Sequence, residues 1–177
     1  MADCQTLCCV QSSTSFFREY HTLTDIIATR AMVRADLAAV STILDGTGLF
    51  PATMLPDMAE PFLSGQAPHI WVVACADTAV LGFAYCEPER MTDGTYNLLA
   101  IAVDPDRQGR GVGQVLVGAI ERAVRDARGR ILLVETSSLP EYDRTRRFYE
   151  QLAFDREAVV REFYTIGEDK IIFWKTV

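Results

Sequence analysis

The chain has no uncharged apolar run near the roughly 20 residues that span a bilayer; its longest candidates are residues 98–103 and 131–134. A helical membrane span is therefore excluded. The first twenty residues lack the basic-then-apolar order of a secretory signal, so the expected compartment is the cytoplasm. Positive charge is scarce as well. Seventeen Lys and Arg stand against 24 Asp and Glu, a net charge of −7, which argues against nucleic acid as a partner because phosphate contacts need a basic surface. Histidine is limited to His21 and His69, with no partners nearby in sequence, and neither is assigned a role. The five cysteines, Cys4, Cys8, Cys9, Cys75 and Cys86, are odd in number and give no disulfide framework. No fourth ligand completes a zinc-finger spacing, and no basic cluster turns the first three toward a membrane, so no metal is expected. What remains is ordinary for one globular domain: 177 residues, 49% apolar and 23% charged, enough to bury roughly 70% of the unfolded surface.

Residues 1–24 are rich in Ser, Thr and Gln without a sustained period, and read as a weakly ordered extension before a domain over 25–177. Residues 26–32 suit a first strand. Ala35, Leu37, Ala38, Val40, Ser41 and Leu44 suit a helix broken at Asp45-Gly46-Thr47-Gly48. A second, proline-interrupted helical region spans 51–63, and 70–76, 80–86 and 96–103 read as a strand meander. From Gly111 the period becomes 3.6, with Val112, Val115, Leu116, Ala119, Ile120, Ala123 and Val124 on one helical face. Gly129 ends that helix and a strand follows at 131–134, the order of a parallel crossover. A fourth helix over 143–152 and closing strands near 155–164 and 170–175, around a Gly167-Glu168-Asp169 turn, complete one mixed α/β domain.

The most informative stretch is the strand ending Ile101-Ala-Val103-Asp-Pro, followed by Asp106-Arg-Gln-Gly-Arg-Gly-Val-Gly113 and the third helix. A helix N-terminus presents unpaired N–H groups and partial positive charge, so it suits phosphate. Gly109, Gly111 and Gly113 let the backbone approach a ligand, and Arg107 and Arg110 add cationic donors. A P-loop would need a Lys here, and none is near. A dinucleotide Gly-x-Gly-x-x-Gly fails too: counted from Gly111 its third glycine falls on Leu116, and from Gly109 on Gln114.

Gln108-x-x-Gly111-x-Gly113 at a strand-to-helix junction resembles the signature of the GNAT superfamily of acyl-CoA-dependent N-acyltransferases. Arg147-Phe-Tyr-Glu-Gln-Leu-Ala-Phe154 resembles its second signature, with Ala153 where the family usually has Gly. The likeness covers about 150 residues. It implies a single-domain α/β GNAT fold: a mixed, mostly antiparallel sheet of about six to seven strands with helices on both faces. It also implies acetyl-CoA as cosubstrate. Ile101, Ala102 and Val103 would line the pantetheine and thioester, while Gln108, Gly109, Arg110, Gly111, Val112 and Gly113 would hold the pyrophosphate.

Acyl transfer to an amine needs a neutral amine, a stabilised oxyanion and a proton for the thiolate. The strand beside the loop offers an oxyanion donor if a local irregularity frees a backbone N–H. By the resemblance Tyr149 is the candidate acid; otherwise it is a half-buried aromatic of the fourth helix. Glu135, closing an apolar run at a strand end beside a parallel crevice, is the candidate base. Ribosomal-protein alanine acetyltransferases, one branch of the superfamily, carry a Glu at the corresponding strand end, although here Glu135 stands two residues further from the tyrosine and Tyr142 replaces an expected Asn. The other reading of Glu135 is a solvated or Arg-paired strand end. Phe163-Tyr164, followed by the acidic Gly167-Glu168-Asp169 turn, is similar to the paired tyrosines of that branch and would line an acceptor channel or else pack on an edge strand. Arg144, Arg146 and Arg147 read as a solvated helix face paired with Asp143 or Glu150, the alternative being contact with a CoA phosphate.

The expected function is therefore transfer of an acetyl group from acetyl-CoA to a primary amine, on a small molecule or a protein N-terminus, by direct attack in a ternary complex. The alternative is a non-catalytic acetyl-CoA-binding or sensing module. The closing strands suit pairing as a homodimer, though no residue demands it. Charge is partitioned: over residues 107–130 six Arg against Glu121 and Asp126 give +4, leaving −11 elsewhere.

Overall fold

The computed structural model describes residues 27–177; the proposed extension, Ile26, Cys4, Cys8 and Cys9 lie outside them. Eleven elements follow in order: β1 (Ala28–Ala31), α1 (Leu37–Thr47), α2 (Leu55–Leu63), β2 (Ile70–Ala76), β3 (Ala79–Pro88), β4 (Thr95–Val103), α3 (Val112–Asp126), β5 (Ile131–Ser137), α4 (Asp143–Gln151), β6 (Asp155–Thr165) and β7 (Glu168–Thr176). The seven strands form one sheet, ordered β1-β2-β3-β4-β5-β7-β6. Only β4 and β5 run parallel, as a crossover through α3 requires.

Helices cover both faces of this sheet. Val112, Leu116, Ile120 and Val124 of α3 pack on Val72, Ala74, Ala84 and Leu98, while Val40, Ile43 and Leu44 of α1 and Leu55 and Ala59 of α2 pack on Trp71, Val73, Phe83 and Tyr85. Period-two alternation along β2 separates the two cores. In β4 that alternation is interrupted: Tyr85 pairs with Ala100 but Cys86 with Leu98, so Leu99 is an extra, bulged residue. The interruption inverts the strand. Tyr96 and Leu98 join the α3 core, whereas Ala100 and Ala102 join the α1/α2 core.

Several boundaries differ from the sequence reading. The first strand is shorter than residues 26–32, and α1 runs through Asp45-Gly46-Thr47 to end at Gly48, whose φ of 64° is the left-handed cap. β5 extends three residues past Val134, so Glu135 lies inside a strand rather than closing it. β7 begins at Glu168, which leaves Ile166 and Gly167 as the turn. Cys75 and Cys86 are buried and unbridged. Among the described residues no helix is long and apolar enough to cross a membrane, and no group of three metal-ligating side chains occurs.

Candidate active site

The parallel pairing of β4 with β5 runs from Thr95↔Ile131 to Leu98↔Val134 and stops there. Beyond it β4 continues against β3 as far as Val103, and β5 continues against β7 as far as Ser137. The two strands splay at the bulge, and the β4 edge from Leu99 to Val103 has no strand partner on the β5 side. Apart from the Val103 carbonyl, which Gln108 occupies, backbone groups along that edge lack a strand partner and can bond an extended ligand.

Two cavities open at the splay. The first, of about 460 Å³, is lined by Ile101, Ala102, Val103, Arg107, Gln108, Gly109, Gly111, Val112, Gly113, Arg144, Phe148 and Tyr149, among others. Its floor is the start of α3, where Gly111 caps the helix at φ 83°, a backbone an L side chain adopts only at a cost of about 1–2 kcal/mol. At Gly113 a Cβ would sit 3.3 Å from the Phe148 ring. Gln108 Nε2 donates to the Val103 carbonyl at 3.2 Å, tying loop to strand end. Asp104 accepts from the Asp106 N–H at 2.9 Å and fixes the turn between them.

The second cavity, of about 350 Å³, lies between β4 and β5 and is lined by Leu99, Ile101, Glu135, Thr136, Ser137, Tyr142, Tyr149, Tyr164 and Glu168, among others. Leu49, Ile101, Thr145 and Tyr149 line both cavities. Tyr149 is 3% exposed and packs edge-on to Phe148 and Phe154 and tilted against Phe173. Burial pushes its phenol well above the ordinary value, which keeps it protonated. The Tyr164 phenol is raised as well, by burial first and then by the nearby Glu135 and Glu168 carboxylates. Glu135 accepts from Lys170 Nζ at 2.8 Å.

Most of the residues expected from sequence thus meet here. Arg110 is the exception, exposed in the turn and outside both linings. Glu135 is paired with a lysine rather than an arginine, and Arg146 is not a solvated residue: it donates to the Ser137 and Leu139 carbonyls and to Asp143, bracing the β5–α4 loop. Sequence reasoning missed Thr47 at the end of α1, Leu49 just after it, Gln114 and Lys170. From sequence, Arg144 is a candidate for a CoA phosphate and Glu168 for an acceptor channel, each behind a plainer reading, and both line a cavity.

Residues 38–154 match the acetyltransferase (GNAT) family. The chain belongs to that family. A GNAT-family protein from Desulfovibrio desulfuricans is 36% identical, with a TM-score of 0.78 over 85% of this chain and 98% of the other. The ribosomal-protein-S18-alanine N-acetyltransferase of Escherichia coli shares the fold at 22% identity and TM-score 0.67, over 86% and 94% of the two chains. A Salmonella typhimurium acetyltransferase fold determined with its cofactor acetyl-CoA aligns at 19% identity and TM-score 0.68, over 85% and 93%. No curated protein is a match for this sequence. The mixed seven-stranded sheet and its four helices are accordingly a single GNAT domain.

Proposed function

We propose that this GNAT protein transfers an acetyl group from acetyl-CoA to a primary amine by direct attack within a ternary complex. The observation that carries this reading is the meeting of the two cavities at Tyr149 and Ile101. Pantetheine would run along the free edge of Ile101, Ala102 and Val103, and the pyrophosphate would rest on the N–H groups from Gly109 to Gly113 with Arg107 and Arg144 nearby. The thioester would then lie where an amine in the second cavity can reach it. Glu135 is the base that takes the ammonium proton before attack; as the C–S bond breaks, Tyr149 gives its proton to the departing thiolate and is reprotonated by the proton that the attacking nitrogen sheds on becoming an amide. A backbone N–H freed at the Leu99 bulge polarises the carbonyl oxygen. Two carboxylates and three phenols lining the second cavity favour a cationic acceptor, on a small amine or a protein N-terminus. The absence of an apolar spanning helix among the described residues is compatible with action in the cytoplasm.

The test is release of CoA thiol with spermidine, phenylethylamine, free amino acids and peptides bearing a free N-terminus, alongside calorimetry with acetyl-CoA. Turnover with at least one amine is the expected result. Tight acetyl-CoA binding without turnover on any acceptor would assign the chain to acetyl-CoA sensing instead.

A further inference from the structure

Lys170 is one of only two lysines in the chain, and it is 9% exposed. The β5–β7 register sets Ser137 opposite Lys170 and Glu135 opposite Ile172, so Glu135, Ser137 and Lys170 share a sheet face, the one on which the second cavity opens. Lys170 Nζ donates to Glu135 Oε2 at 2.8 Å and lies 3.5 Å from the centre of the Phe163 ring. The ammonium is gripped between a carboxylate and an aromatic face. Stripped of most of its water, it cannot release either contact cheaply. Tyr142, Tyr164 and Glu168 are the other ionisable groups around this carboxylate, and among the described residues only Lys170 hydrogen-bonds it.

Resting on the reading of Glu135 as base, we propose that Lys170 is its positioning residue. Held by Phe163, the lysine fixes Oε2 and so turns Oε1 toward the acceptor amine. Without it the half-exposed glutamate would sample several rotamers, most of them out of reach of the proton. Lys170 does not touch the substrate; it acts through Glu135.

A double-mutant cycle tests this, using K170M, K170R, E135Q and K170M/E135Q with the acceptor panel above as probes. K170M should lower kcat by about 10- to 100-fold and leave KM for acetyl-CoA within about twofold. K170R should restore most of the loss, and the double variant should be no slower than E135Q. Losses that multiply in the double variant, or wild-type kcat in K170M, overturn the proposal. Wild-type kinetics in E135Q alone removes the base reading instead, and this one with it. If K170M loses its cooperative unfolding transition, F163L takes its place: it removes the ring but not the ion pair, and its smaller drop in kcat should vanish in the E135Q background.

Discussion

At the scale of single residues, Tyr149 and Asp36 illustrate how burial and partners set a side chain's chemistry. Tyr149 is enclosed by three aromatic rings, and burial raises its phenol, which leaves it protonated but a weaker donor than a free one. Tyr149→Phe keeps those ring contacts and removes only the hydroxyl, so kcat should fall by about 100-fold or more while acetyl-CoA affinity holds. Equal kcat in steady-state assays of the two forms would exclude the acid role. Asp36, outside the site, receives two hydrogen bonds from Arg30 at 2.6 and 2.7 Å and one from the Val33 N–H at 2.8 Å. The Arg30 hydrogen bond lowers its carboxyl below the usual range, against the opposing effect of burial. A carboxyl lowered in the folded state adds stability that is complete above the unfolded value of about 3.9 and disappears as pH falls through the folded one. Asp36→Asn should therefore cost about 1–2 kcal/mol at neutral pH, and urea titrations should show the gap closing below about pH 4.

At the scale of elements, the junctions carry the information. Ala153 follows α4 with φ 61°, the left-handed conformation that glycine adopts freely. Phe154 N–H donates to the Tyr149 carbonyl across it, so the reversal is kept in spite of the alanine. Relief of about 1–2 kcal/mol of strain, offset by glycine's greater unfolded entropy, predicts that Ala153→Gly stabilises by about 0.5–1 kcal/mol; an unchanged or lower Tm would contradict it. Gly111→Ala works in the opposite sense. A Cβ at φ 83° strains the first turn of α3, and calorimetry should find acetyl-CoA bound about 5- to 30-fold more weakly. Such junctions were also what the sequence disclosed best. Helical spacing located α3, and elimination of rival glycine loops left one signature before it. The Leu99 bulge was not legible, because Leu98 and Leu99 are both apolar and residues 98–103 read alike on either face. Nor was the Lys170–Glu135 pair, whose partners stand 35 residues apart and meet only through strand register.

At the scale of the whole molecule, charge is divided between the two cavities, but not along the sequence partition, since of the six arginines in 107–130 only Arg107 lines the first cavity. Arg107 and Arg144 line the first cavity, whereas Glu135 and Glu168 line the second. An anionic cofactor and a cationic acceptor would thus each meet the opposite sign. Raising the salt from about 50 mM to about 300 mM shortens the reach of these fields from roughly 14 Å to roughly 6 Å, so KM for a cationic amine should rise several-fold with kcat steady. A flat response would mean that contact alone, and not long-range attraction, selects the acceptor. The bulge imposes a different kind of limit. Removing Leu99 would leave Ala100 to Val103 facing as they do, because Ala100 would follow Leu98 in regular alternation, but it would erase the bulge at which β4 parts from β5. Along this stretch the chain is free to change its letters but not their number.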